Sequence, residues 1–286
     1  MEVIGLPTNP QFQNYLKEAY DLDYVRIDGF PAFKKSGTPL FFGGFKAFYS
    51  VVFGATLKEV NNRIDNACNA YPEIICDISV DDSSARGVLI HYLLDLNQLT
   101  SPEDRFKLYE KKTRNQVRKS YANELRLEVG APPEGFYTLY TESIRRLKSI
   151  PGKKEYFDTL ERHLGSSIVC FSLYNGDVLV GCNYTIVSSE YQLLCFNVSD
   201  HRHWHLNINN RLYDEMIAWA LQKGIRFVDF GPGVRKDTTH NHFKEGFGAR
   251  ARVIVDRQKM PFLKKIKAFF LQKKRNLRIR FSRFFV

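Results

Sequence analysis

The chain has 286 residues, 44% apolar and 26% charged, with a formal net charge of +11. It is long enough for one large core or two modest ones, and its composition excludes collagen-like, low-complexity and wholly disordered chains. The charge is uneven: from Arg257 to Val286 stand eleven basic residues and no acidic one, which leaves 31 of each sign in the preceding 256 residues. A basic domain would point to nucleic acid, but here the excess belongs to a terminal segment.

Five cysteines, odd in number and without C-x-x-C spacing, support neither a disulfide framework nor a zinc ribbon, and they suit a reducing cytosol. The start MEVIGLPTNPQF lacks the basic-then-apolar order of a signal peptide, and no run of about 18 apolar residues could span a bilayer. A cytoplasmic protein is expected.

In chain order, Pro10 to Ala19 reads as a short helix and Asp23 to Asp28 as a strand. A Gly/Pro/Phe-rich stretch of little periodicity follows (GFPAFKKSGTPLFFGGFKAFYS). A helix from about Leu57 to Ala70 and two β-branched runs, Glu73 to Ser79 and Val88 to Leu96, complete what reads as an incomplete α/β unit over residues 1–100. Ser101 as N-cap, Pro102, and the first-turn acids Glu103 and Asp104 predict a helix running to about Ala122. Its Arg114 and Arg118 lie one turn apart on one face, either as a phosphate contact or as part of a solvated basic face. This helix and the strand after it form a link over residues 101–132.

From Pro133 the pattern is regular. Helices are predicted over Glu134 to Lys148 and Lys153 to His163, then strands Ser167 to Tyr174 and Val178 to Val187 around the hairpin signal Asn175-Gly176. A strand Tyr191 to Val198, a helix Asn207 to Lys223 stopped by Gly224, and a buried strand Ile225 to Phe230 follow. After a Gly-Pro-Gly turn and a short segment, Ala251 to Asp256 is the last strand. The order is α-α-β-β-β-α-β-α-β.

That order, with Val228-Asp229-Phe230-Gly231 and His242-Phe243-Lys244-Glu245-Gly246-Phe247-Gly248-Ala249, resembles the GNAT acyltransferase fold in its FemAB-like branch. The resemblance implies an α/β protein with a GNAT-like mixed sheet in the C-terminal half (133–260), a smaller degenerate GNAT-like N-terminal half (1–100) and a basic helical C-terminal tail (261–286). It implies transfer of an acyl or aminoacyl group to an amine or hydroxyl. It also implies that strands Tyr191 to Val198 and Ile225 to Phe230 splay apart, leaving backbone groups to hold the donor as an added strand. In acetyl-CoA users a glycine-rich loop opens the following helix, because bare N–H groups there bind pyrophosphate. Here Ser199 to Leu206 contains no glycine. The carrier therefore stays open between acyl-CoA and aminoacyl-tRNA.

For chemistry, Lys244 is expected to stabilise the oxyanion of a tetrahedral intermediate, the role the resemblance gives it. Asp229, at a strand end, is a candidate to orient the acceptor or act as general base, with His242 (and His240) as an alternative base. Phe243, Arg202 and Asn207 join Arg114 and Arg118 as expected substrate contacts, Arg202 toward an anionic donor. A metal site is not expected, because the run His201-Arg202-His203-Trp204-His205 has no Cys, Asp or Glu cluster to complete a shell.

In the tail, Leu263, Ile266, Phe270, Leu277, Phe281 and Phe284 recur at helical spacing among the eleven bases. This suits a helix in an anionic membrane interface on the cytoplasmic face, with packing on the body or a grip on tRNA as alternatives. Two function classes result: an acyltransferase acting on a small-molecule or lipid-linked saccharide or peptide precursor, and a non-catalytic GNAT-derived scaffold held at a membrane.

Overall fold

The computed structural model describes residues 2–27, 30–35, 50–70, 74–80, 89–234 and 238–258, and the expected tail helix over 261–286 lies outside them. The first half contains β1 (Glu2–Ile4), α1 (Pro10–Tyr20), β2 (Leu22–Ile27), β3 (Phe30–Lys35), β4 (Ser50–Phe53), α2 (Leu57–Ala70), β5 (Ile74–Val80) and β6 (Leu89–Asp95). Then follow α3 (Lys111–Tyr121), β7 (Leu125–Gly130), α4 (Phe136–Arg146), α5 (Lys154–Leu164), β8 (Ile168–Asn175), β9 (Val178–Val187), β10 (Tyr191–Ser199), α6 (Ile208–Gln222), β11 (Phe227–Val234), α7 (Thr238–Glu245) and β12 (Arg250–Gln258). The class is the expected α/β, with a mixed sheet in the C-terminal half.

Among the described residues the strands run in the order β1-β4-β5-β12-β6-β11-β10-β9-β8-β7, with β3 joining β2 to β5. Strand β6, from the first hundred residues, thus lies between β11 and β12 from the end of the chain. Both halves share one sheet. Alternate strand residues feed two cores on its two faces, as a period of two requires. Cys182, Tyr184, Leu193 and Phe227 pack toward α1, α4 and α5. Phe171, Val180, Val228 and Phe230 pack toward α6 and the segment before α3.

Three expectations are corrected. The Gly/Pro/Phe-rich stretch supplies β3, which is held by antiparallel pairing with β2 from Leu22–Lys35 to Ile27–Phe30 and needs no periodicity in the sequence. The single helix from Ser101 to Ala122 is instead a 3₁₀ turn, Pro102–Lys107, followed by α3, and Ser101 makes no side-chain cap. The break serves packing: Tyr109 is buried, and the Glu110 N–H donates to the Gly246 carbonyl at 2.9 Å. The Gly231-Pro232-Gly233 segment is not a turn but continues β11, paired with β6 through Val234.

Helix α6 lies against both this segment and the sheet, and it carries a charge into the interior. Asp214, with no exposed surface, accepts Arg105 Nε and Nη2 at 2.8 and 2.9 Å, Tyr109 OH at 3.0 Å and Tyr121 OH at 2.6 Å. Burial and the neighbouring Asp214 push the Tyr109 and Tyr121 hydroxyls well above their ordinary values, so both remain donors. A buried carboxylate is tolerable only with such complete partnering. Replacing Asp214 by Ala removes the counter-charge of the partly buried Arg105, which keeps only its bond to the Pro102 carbonyl, and leaves Tyr109 and Tyr121 without their acceptor. We expect a loss of roughly 3–5 kcal/mol, read as a lower denaturant midpoint.

Candidate active site

The sheet opens between β10 and β11. Their parallel pairing covers Tyr191–Phe227, Gln192–Val228 and Leu193–Asp229, and among the described residues it is not resumed, although β10 continues to Ser199 and β11 to Val234. Each strand has a register shift where the pairing ends: β10 against β9 between Leu194 and Phe196, and β11 against β6 between Asp229 and Pro232. A bulge bends its strand and increases local twist. Two at the same level turn the strands away from each other.

Gly231 is the pivot. Its φ of +75° is open to glycine, and a Cβ there would stand 2.9 Å from the Leu194 carbonyl oxygen. Its N–H donates to Asp229 Oδ1 at 2.8 Å, and its C=O accepts from Lys244 Nζ at 3.1 Å. Both polar groups of Gly231 are engaged by side chains, so neither is available to zip β11 further onto β10. Asp229 is fixed in turn by Tyr191 OH at 2.6 Å and His91 Nδ1 at 2.7 Å, all three residues being buried.

Lys244 is carried by α7, half-buried, with its Nζ 5.6 Å from the Tyr92 ring centroid. Asn241, one turn earlier, faces the same strand: a Cβ on Gly233 would meet Asn241 Oδ1 at 3.5 Å and Lys244 Nζ at 4.0 Å. The Phe-Lys and Gly-Phe-Gly pieces act together to seat this helix. Phe243 and Phe247 pack on Tyr213 with centroids 5.0 and 5.3 Å apart, and Phe247 also packs on Tyr109 at 5.0 Å. A Cβ on Gly246 would stand 2.4 Å from Thr113 Oγ1, and one on Gly248 2.8 Å from the Leu108 carbonyl oxygen. The glycines let the turn press against the start of α3.

The expected residues separate into three groups. Lys244 and Asp229 meet at Gly231 beside the opening, whereas Phe243 packs on Tyr213 and Phe247. Asp229 has no exposed surface and both its oxygens are engaged, one by the Gly231 N–H and the other by Tyr191 and His91. His242 points outward, 78% exposed, with Nδ1 3.0 Å from Glu245 Oε2; Glu245 Oε1 accepts from Tyr92 OH at 3.0 Å.

Arg202 and Asn207 lie at the far end of β10, the segment expected as a loop being a 3₁₀ turn, His201–Leu206. Asn207 begins α6 in a left-handed conformation, φ 55°. The Arg202 guanidinium meets both oxygens of Asp200 at 2.9 Å, and it holds that carboxylate well below the usual range, helped by the Arg202 N–H and His203. Arg114 turns back onto the Phe106 and Tyr109 carbonyls at 3.4 and 2.5 Å, bracing the break before α3, whereas Arg118 is exposed.

His91, Tyr191, Tyr92 and Asn241 were not singled out in the sequence. The first two belong to separate strands 100 residues apart, and only the sheet order joins them. Among the described residues no group of three or more His, Cys, Asp or Glu is placed to hold a metal ion.

Residues 108–245 match the family model for the acetyltransferase (GNAT) domain. This segment is thus a GNAT-type domain. Its fold is that of FemX, at a TM-score of 0.61 and 11% identity over 90% of this chain and 97% of that one. L-PGS from Bacillus licheniformis is similar at 0.50 and 12% identity, over 94% and 91%. The C-terminal domain of a candidate lysylphosphatidylglycerol synthetase from Agrobacterium fabrum is similar at 0.52 and 9% identity, over 90% of each. No curated protein matches the sequence. The FemX likeness covers the shared sheet as well as the GNAT domain.

Two outcomes test the opening. Gly231→Ala places a methyl against the Leu194 carbonyl in a strained conformation, and we expect a loss of about 1–3 kcal/mol in a denaturant titration. The depressed Asp200 contributes stability that is full above the unfolded carboxylate value of about 3.9 and is lost as pH falls through its lowered folded value. Asp200→Asn should therefore flatten the acid limb of a melting-temperature profile below about pH 4.

Proposed function

We propose that the chain is an acyltransferase that moves an acyl or aminoacyl group to an amine or hydroxyl of a cell-envelope peptide, lipid or glycan precursor. The observation that carries this reading is the opened β10–β11 seam with the Lys244 ammonium at its apex. The donor arm lies along β10 in the manner of an added strand, its carbonyl toward Lys244. The acceptor attacks the carbonyl carbon, negative charge develops on the oxygen, and the ammonium stabilises it in a site sheltered from water. Collapse breaks the bond to the carrier, whose thiolate or alkoxide leaves and takes up the proton that the acceptor's amine or hydroxyl gives up. Asp229, Tyr191 and His91 act through Gly231 by holding the seam open.

The carrier is acyl-CoA or aminoacyl-tRNA, and the start of α6 favours the second. The backbone N–H of Arg202 already donates to Asp200 at 3.0 Å, so a carboxylate occupies ground where a pyrophosphate would need bare N–H groups. The likeness to a protein named for lysylphosphatidylglycerol, an aminoacylated lipid, supports an acceptor of the cell envelope.

The test offers the purified chain acetyl-CoA or a charged tRNA pool together with phosphatidylglycerol or a peptidoglycan precursor, with products read by mass spectrometry. Lys244→Met should lower turnover by about 10²–10³-fold with little change in melting temperature. Full turnover in that variant removes Lys244 from the chemistry. No product with either donor, and no thermal stabilisation by either, favours the non-catalytic scaffold.

A further inference from the structure

The connection between α4 and α5 exposes apolar side chains that contribute nothing to either core. Leu147 is 55% and Ile150 67% exposed. Around them the sequence Arg145-Arg146-Leu147-Lys148-Ser149-Ile150-Pro151-Gly152-Lys153-Lys154 holds five bases and no acid. The segment is firmly built. The Gly152 C=O accepts from Tyr137 OH and its N–H donates to Tyr140 OH, each at 3.0 Å, while Ser149 N–H returns to the Ile144 carbonyl at 3.1 Å. Lys148 takes a left-handed conformation (φ 55°) at the helix end, where glycine is usual, so a charged side chain stands at the tip.

Arg146 links this tip to a second apolar group. Its guanidinium lies 4.6 Å from the centroid of the Trp204 ring, and Trp204 is itself 45% exposed. Beside this pair a recess of ≈ 400 Å³, lined by Glu142, Arg145, Arg146, Ser199, Asp200 and Arg202 among others, reaches the end of β10. This surface thus combines two aliphatic tips and an indole with bases that outnumber its acids Glu142 and Asp200, the latter already paired with Arg202.

We propose that this surface, Leu147, Ile150 and Trp204 with the bases beside them, docks the folded body on an anionic lipid bilayer. Aliphatic tips enter the acyl boundary, the indole sits at headgroup level and the bases meet lipid phosphates. Charge selects this partner, because the stretch 145–154 sets five bases and no acid beside its two apolar tips, which suits a phosphate-faced apolar phase. The contact is separate from the tail and does not depend on acyl transfer, since it is read without turnover.

The full chain contains two tryptophans. Trp219 packs on Phe171 at 5.7 Å, so a Trp219→Phe background leaves Trp204 as the reporter. Vesicles of phosphatidylglycerol and phosphatidylcholine should shift Trp204 emission to the blue and shield it from acrylamide, whereas pure phosphatidylcholine vesicles should not. In the natural chain, L147S/I150S should reduce vesicle sedimentation about tenfold, and Lys148→Ala roughly fivefold. Because both changes are at exposed positions, they also serve if Trp219→Phe folds poorly. Sedimentation equal to the natural chain's, vesicle binding without a Trp204 shift, or a shift given by transfer RNA and not by vesicles would each overturn the proposal.

Discussion

The site depends on how the peptide groups of Gly231 are used. In a parallel ladder each strand offers its N–H and C=O to its neighbours, and a continuous sheet is the default outcome. Here the Gly231 N–H is turned to Asp229 and its C=O to Lys244, one ligand of each sign. The carboxylate is buried, so water does little to screen its bond, while the ammonium is half-buried. The same residues that hold the seam open bring a cation to its apex. Opening the sheet and charging the opening are one structural event.

Much of this was legible in the sequence, for identifiable reasons. The Asn175-Gly176 turn, the apolar stripe of α6 and the run of β11 are local signals, and each appears within a few residues of where the pattern puts it. Lys244 and Asp229 stand out through the Phe-Lys and Asp-Phe-Gly pieces that carry the resemblance, and the structure sets both against Gly231. The break before α3 was not legible, because its cause is Tyr109 entering a core built by α6 and Phe247, residues more than 100 positions away. Strand β3 escaped for a similar reason, since pairing with β2 and β5 gives it order that its own alternation does not.

The role of Asp229 shows where reading by type falls short. A carboxylate at a strand end can face a ligand or its own backbone, and the sequence is the same in both cases. His91 and Tyr191 decide the matter, and neither carries a local motif. His242 differs from Lys244 only by helical phase: two positions apart on α7, one faces β11 and the other solvent.

Strand β12 lies between β5 and β6, and β6 in turn lies beside β11. The matched GNAT segment therefore borrows a strand from residues 89–95 that is indispensable to its sheet, and the earlier half borrows one from residues 250–258. Neither half is a self-sufficient folding unit. During synthesis the seam cannot form until the ribosome has released nearly all of the described chain, which places the protein among those that assemble late through distant pairings.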